Sequence, residues 1–66
     1  MNDKLYYLYQ IMPTRTYLVH SGNDWNEIKQ MADDKQHTAK WYERYTIVNA
    51  NNTTIYKPFM QNLKQS

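Results

Sequence analysis

Ser21-Gly22-Asn23-Asp24-Trp25-Asn26-Glu27-Ile28 is the stretch whose reading decides the fold. Breakers and caps crowd its first half, and an apolar periodicity opens in its second. Asp24 suits a helix N-cap, and Glu27 three residues on is a variant of the capping box, so both carboxylates sit at the positive end of the helix dipole. The spacing predicts a helix over residues 24–36. Its apolar stripe is Trp25, Ile28, Met31 and Ala32, while Asn26, Lys29, Gln30, Asp33 and Asp34 fill the other side. Lys35 and His37 suit the negative end.

On either side of this helix the period changes from helical to extended. Residues 4–12 are dense in Tyr, Leu and Ile at both odd and even positions, which predicts a strand whose second face is covered or carries exposed tyrosine. Pro13 fixes its own φ and cannot donate a ladder bond, so a turn follows, and residues 16–20 form a second strand. A Pro13-Thr14 loop sets Tyr9 opposite Leu18 and Leu8 opposite Val19. Beyond the helix, residues 40–48 are aromatic and β-branched, residues 49–53 make an asparagine-rich turn that tolerates positive φ, and residues 54–57 return before Pro58. An Asn51-Asn52 loop pairs Val48 with Ile55 and Ile47 with Tyr56, whereas a three-residue loop exchanges Ile55 and Tyr56 between faces. One face then carries Trp41, Tyr45, Ile47 and Tyr56 as core. The other carries Lys40, Tyr42, Arg44, Thr46 and Lys57. Glu43 falls among the core set, which requires that it lie at the sheet margin or meet Arg15 or a lysine.

The order predicts an α+β fold: a single small domain over residues 1–66, an antiparallel sheet of about four strands with one helix packed on it, β-β-α-β-β. Phe59, Met60 and Leu63 have the spacing of one helical turn, so residues 59–66 are expected as a short terminal helix or a frayed tail. Sixty-six residues allow one small core and no second domain. Leu, Ile, Val and Phe number only eleven, but ten aromatics and a net charge of +2 argue for a folded chain. A second copy or a partner would add the burial that so few aliphatic residues leave short.

Several chemistries are disfavoured by composition. Without cysteine there is no disulfide framework, thiolate metal site or thiol nucleophile. One glycine leaves no glycine-rich phosphate loop, and Ser21 and Ser66 have no nucleophile motif around them. Asp33 and His37 are four apart on the helix, a spacing that reads as a surface ion pair rather than a metal site, which needs further ligands. No enzyme activity, cofactor or metal is expected. The absence of a secretory signal or an apolar run of membrane-spanning length leads us to expect a soluble, cytoplasmic protein with no membrane partner.

Binding is the remaining class. Seven Tyr, two Trp, four Met and two Arg belong to the residue types that concentrate at interface centres. A domain of this size cannot hide ten aromatic rings, so Tyr6, Tyr17, Tyr42 and Phe59 are candidates for a partner-facing surface. Lys40, Tyr42, Arg44 and Lys57 on the second hairpin add cations to aromatics. Residues 34–66 sum to +3 and residues 1–33 to −1, which concentrates the positive charge in this half. The favoured reading is a non-catalytic protein-binding module. The same face suits a weak single-stranded nucleic-acid binder, in which aromatics stack on bases and cations meet phosphates. A structural, self-associating homo-oligomer is the third reading, through the edge of the first or last strand, since Lys57 and Pro58 protect only one of them. In size, lack of cysteine, tyrosine richness and α+β layout the chain resembles the small accessory proteins of bacteriophages and other mobile elements. That resemblance implies an inhibitor that occludes a host or defence protein.

Overall fold

A computed structural model describes residues 4–58 of the chain. Five elements follow one another: β1 (Tyr6–Ile11), β2 (Thr16–Gly22), α1 (Trp25–His37), β3 (Arg44–Asn49) and β4 (Thr54–Tyr56). The fold is the expected α+β arrangement, one helix on a four-stranded antiparallel sheet. The Phe59 candidate and the terminal-helix expectation fall outside the described residues.

The helix starts where its cap dictates. Asp24 Oδ1 accepts from the backbone N–H of Asn26 at 3.1 Å and of Glu27 at 3.3 Å, which satisfies two of the free donors of the first turn. Ile28 and Ala32 are buried, with Trp25 and Met31 partly buried beside them, so the predicted stripe is the face laid on the sheet. Gln36 extends that stripe and is only 4 % exposed.

In the sheet the strands lie in the order β2-β1-β3-β4. Both β2 and β3 are antiparallel to β1, so they run in the same direction and α1 is the crossover that carries the chain past β1. The core cluster is Leu8 of β1, Tyr45 and Ile47 of β3, and Ile28 and Ala32 of α1. Tyr6, Trp25 and Tyr56 close its rim. The Tyr6 and Trp25 ring centroids are 5.3 Å apart, and Trp25 meets Tyr56 edge-on at 5.7 Å. This topology corrects the edge expectation. The first strand is internal, and the edges are β2 and β4.

Each hairpin contains a register shift. In the first, Met12 N donates to Arg15 O at 2.9 Å around the Pro13-Thr14 loop, and Tyr9 pairs with Leu18 as expected. The shift between Leu8 and Tyr9 then places Leu8 opposite His20 rather than Val19, because Val19 is the extra residue of a bulge. In the second, Asn49 N donates to Thr53 O at 3.0 Å, closing a three-residue loop instead of the expected two. Asn52 takes the left-handed conformation there, φ 66°. Such a loop alone would expel Tyr56 from the core face. A shift at Ile55 restores it, so that Ile47 pairs with Tyr56 while Val48 pairs with Thr54.

β1 and β4 are shorter than expected, and two further boundaries move by more than fraying. Ser21 and Gly22, read as breakers, stay in β2 opposite Tyr7 and Tyr6. β3 begins at Arg44 rather than at residue 40, because Glu43 N donates to Lys40 O at 2.9 Å and closes a turn. Trp41 thereby leaves the pleat. It is 73 % exposed and not in the core.

Candidate functional site

The turn of residues 40–43 is built around Glu43. Its Oε1 accepts from the Lys40 backbone N–H at 2.8 Å, and its Oε2 accepts from Gln10 Nε2 at 2.8 Å. Glu43 therefore sits at the sheet margin, as its position required, with Gln10 and a backbone amide as partners in place of Arg15 or a lysine ammonium. Arg44 Nη1 donates to Trp41 O at 2.7 Å, which adds a charge-assisted bond across the turn. The Trp41 and Tyr42 rings meet edge-on at 5.5 Å. Together these contacts hold an exposed indole on a turn that is already ordered.

Beside the turn, β3 has an edge that β4 is too short to cover. Gln36 supplies the missing partner. Its Oε1 accepts from Tyr45 N at 2.8 Å and its Nε2 donates to Glu43 O at 3.0 Å, so one carboxamide stands in for a peptide unit of an adjacent strand. A cavity of about 240 Å³ lies next to this edge. Among the described residues, Ile11, Tyr45, Thr46 and Pro58 line it together with the cations Arg44 and Lys57.

The candidate residues thus divide. Lys40, Tyr42 and Arg44 lie on or directly after the turn, and Lys57 shares the cavity with Arg44. They do not form the single strand face that alternation implied, since Lys40 and Tyr42 precede β3. Tyr6 packs on the core against Trp25. Tyr17 is exposed on β2, opposite Gln10 and two strands from β3. Trp41 is the residue that strand propensity concealed. The signal available for it was Glu43, a carboxylate in a supposed core position, three residues after Lys40.

The titratable groups on the helix side serve packing. Tyr56 OH donates to Asp33 Oδ1 at 2.6 Å, and Lys29 Nζ reaches Asp33 Oδ2 at 3.2 Å. The bond to Asp33, with burial and the carboxylate charge, pushes the Tyr56 hydroxyl pKa up, and the same carboxylate raises that of Lys29. Burial, then the nearby Glu43 charge, raises the Tyr45 hydroxyl. Asp33 therefore serves Lys29 and Tyr56 rather than the expected pair with His37. Among the described residues no three His, Cys, Asp or Glu side chains gather as metal ligands would, and no helix is long and apolar enough to cross a membrane. Comparison with known proteins returns no matching family model, no matching curated protein and no matching solved structure.

Proposed function

We propose that the protein is a non-catalytic protein-binding module in which Trp41 anchors a partner, with Tyr42, Lys40 and the Arg44–Lys57 cavity around it. The observation that carries this reading is an indole 73 % exposed on a turn fixed by its own hydrogen bonds. A large aromatic held in place before binding loses little freedom on association, which is the property of a hot-spot residue. The cavity pairs apolar walls with two cations, so the complementary partner segment carries an apolar side chain next to a carboxylate. An inhibitor that occludes its target is the sharper form of the same reading.

Selection from a displayed random peptide library on the immobilised protein tests it. Selected peptides should be enriched in acidic and apolar residues. Trp41→Ala should weaken them by about thirtyfold or more, the loss of one hot-spot side chain, with circular dichroism unchanged. The double variant Tyr42→Ala/Arg44→Ala should also lose binding. Equal affinity for the folded variants would remove this surface from consideration.

The pair of exposed Trp41 and half-buried Tyr42 also favours a second reading, single-stranded nucleic-acid binding by stacking. Titration of labelled oligonucleotides at about 50 and about 200 mM salt separates the two. Binding at low salt that collapses at higher salt supports nucleic acid, and no binding at either leaves the protein partner.

A further inference from the structure

The two sheet edges differ in how they are closed. Edge strands offer unpaired N–H and C=O groups, and proteins usually blunt them with short length, charge, proline or bulges. β4 is three residues long, shifted at Ile55, and followed by Lys57 and Pro58. β2 has a bulge of its own at Val19, but it runs for seven residues, Thr16-Tyr17-Leu18-Val19-His20-Ser21-Gly22, with no Lys, Arg, Asp, Glu or Pro. Among the described residues no strand pairs with its outer side. Tyr17 and Leu18 are 45 % and 55 % exposed along it.

We propose that β2 pairs antiparallel with β2 of a second copy, about a two-fold axis between Val19 and His20, to make one eight-stranded sheet. The register follows from the faces. Thr16, Leu18 and Ser21 stand opposite Ile11, Tyr9 and Tyr7 and so share the face away from the helix. Tyr17, His20 and Gly22 stand opposite Gln10, Leu8 and Tyr6 and share the helix face. Because the Val19 bulge shifts the alternation by one, the outer edge matches itself over more than three residues only in registers that pair across the bulge. One of them sets Leu18 against Ser21 of the second copy and Tyr17 against Gly22. The other sets Thr16 against Ser21 and Tyr17 against His20.

Charge and shape select the first. It brings Arg15 opposite Asp24 of the second copy, and symmetry repeats the pair at the other end of the seam. Asp24 uses Oδ1 to cap the helix, which leaves Oδ2 for the guanidinium. Setting Tyr17 against Gly22 lets the ring lie over a position without a side chain, a favourable cross-strand arrangement. The second register faces Arg15 with Gly22 and gains neither feature.

Sedimentation equilibrium from micromolar to millimolar protein tests this. The wild-type chain should pass reversibly from monomer to dimer as concentration rises. Leu18→Lys, at an exposed edge position, should hold it monomeric with its circular dichroism unchanged. Arg15→Glu, in the exposed turn, inverts two pairs at once and should weaken the dimer by about tenfold. Adding Asp24→Asn, which keeps a competent N-cap, should recover part of that loss. A chain that stays monomeric throughout, or a dimer that both Leu18→Lys and Arg15→Glu leave intact, would overturn the proposal. Should Leu18→Lys not fold, the Arg15 variants decide. Trp41→Ala should dimerise as the wild type does, which separates this seam from the binding turn.

Discussion

The first hairpin joins its strands by a two-residue loop and spreads its stability along a seven-residue edge strand, whereas the second uses a three-residue loop and an edge strand of three. What β4 lacks in ladder bonds it gains from the helix. Tyr56 OH reaches Asp33, Lys29 Nζ lies 5.1 Å from the Tyr56 ring centroid, and Gln36 completes the hydrogen bonding of β3 where β4 has ended. Among the described residues β2 has no comparable closure on its outer side. Both edge strands carry a bulge, yet for different reasons. In the second hairpin the shift corrects a loop that would have turned Tyr56 outward, and in the first it keeps Leu18 and Ser21 on one face of the edge strand. A short edge can thus be closed by side chains from another layer.

The largest expected effect that would sharpen this comparison comes from Gln36→Leu. The apolar side chain, one atom shorter, leaves Tyr45 N and Glu43 O without partners, which should cost about 1–3 kcal/mol in denaturant unfolding. Amide hydrogen exchange at Tyr45 should accelerate. Unchanged protection there would show that β3 is closed by something other than the Gln36 carboxamide. Next in size is Asn52→Ala. Forcing an alanine into the left-handed conformation of the second loop should lower stability by about 1–2 kcal/mol, whereas Asn52→Gly should be close to neutral. Equal behaviour of the two variants would break the distinction between the loops.

The smallest effect concerns pH. Tyr56 and Tyr45 hold their protons above the ordinary tyrosine value of about 10, and Lys29 is raised as well. A group raised on folding contributes stability that is complete below its unfolded pKa and lost as pH climbs through the folded one. Thermal unfolding should therefore be flat up to about pH 9 and fall toward about pH 11. Tyr56→Phe should lower stability at neutral pH, where the Asp33 bond is intact, and so make the alkaline fall shallower. A slope identical to the wild type would mean that the Asp33 bond does not tie β4 to the helix.

Much of the fold was legible in local patterns. The helix stripe, the Pro13-Thr14 loop, the Tyr9–Leu18 pair and the tolerance of asparagine for positive φ all depend on neighbours a few residues apart, whereas Ile47 meets Tyr56 as expected only because the shift at Ile55 offsets a longer loop. Val48–Ile55 failed because the second loop has three residues and not two, and Leu8–Val19 failed because a bulge is a compromise between loop geometry and two faces that both want burial, which no local pattern announces. Trp41 was misplaced for a related reason. Strand propensity reports how well a side chain fits a pleated surface, but hydrogen bonds from Glu43 and Arg44 took this segment out of the pleat. Gln36 looked like a polar helix residue until β4 proved too short to cover the β3 edge. Of the candidate surface, the Lys40–Tyr42–Arg44 neighbourhood could be read in advance, whereas its most exposed ring could not.

By itself the sequence determined where the helix begins, which of its faces is apolar, and that two hairpins flank it. Capping, periodicity and turn chemistry act within one or two turns of chain, so they are written in adjacent residues. Only the tertiary structure decided that β1 and not β2 lies at the centre, that Trp41 faces outward, and that among the described residues one long edge is left without a strand. Those outcomes rest on pairings between residues tens of positions apart. There, burial of two faces and satisfaction of every backbone group are settled together, not segment by segment.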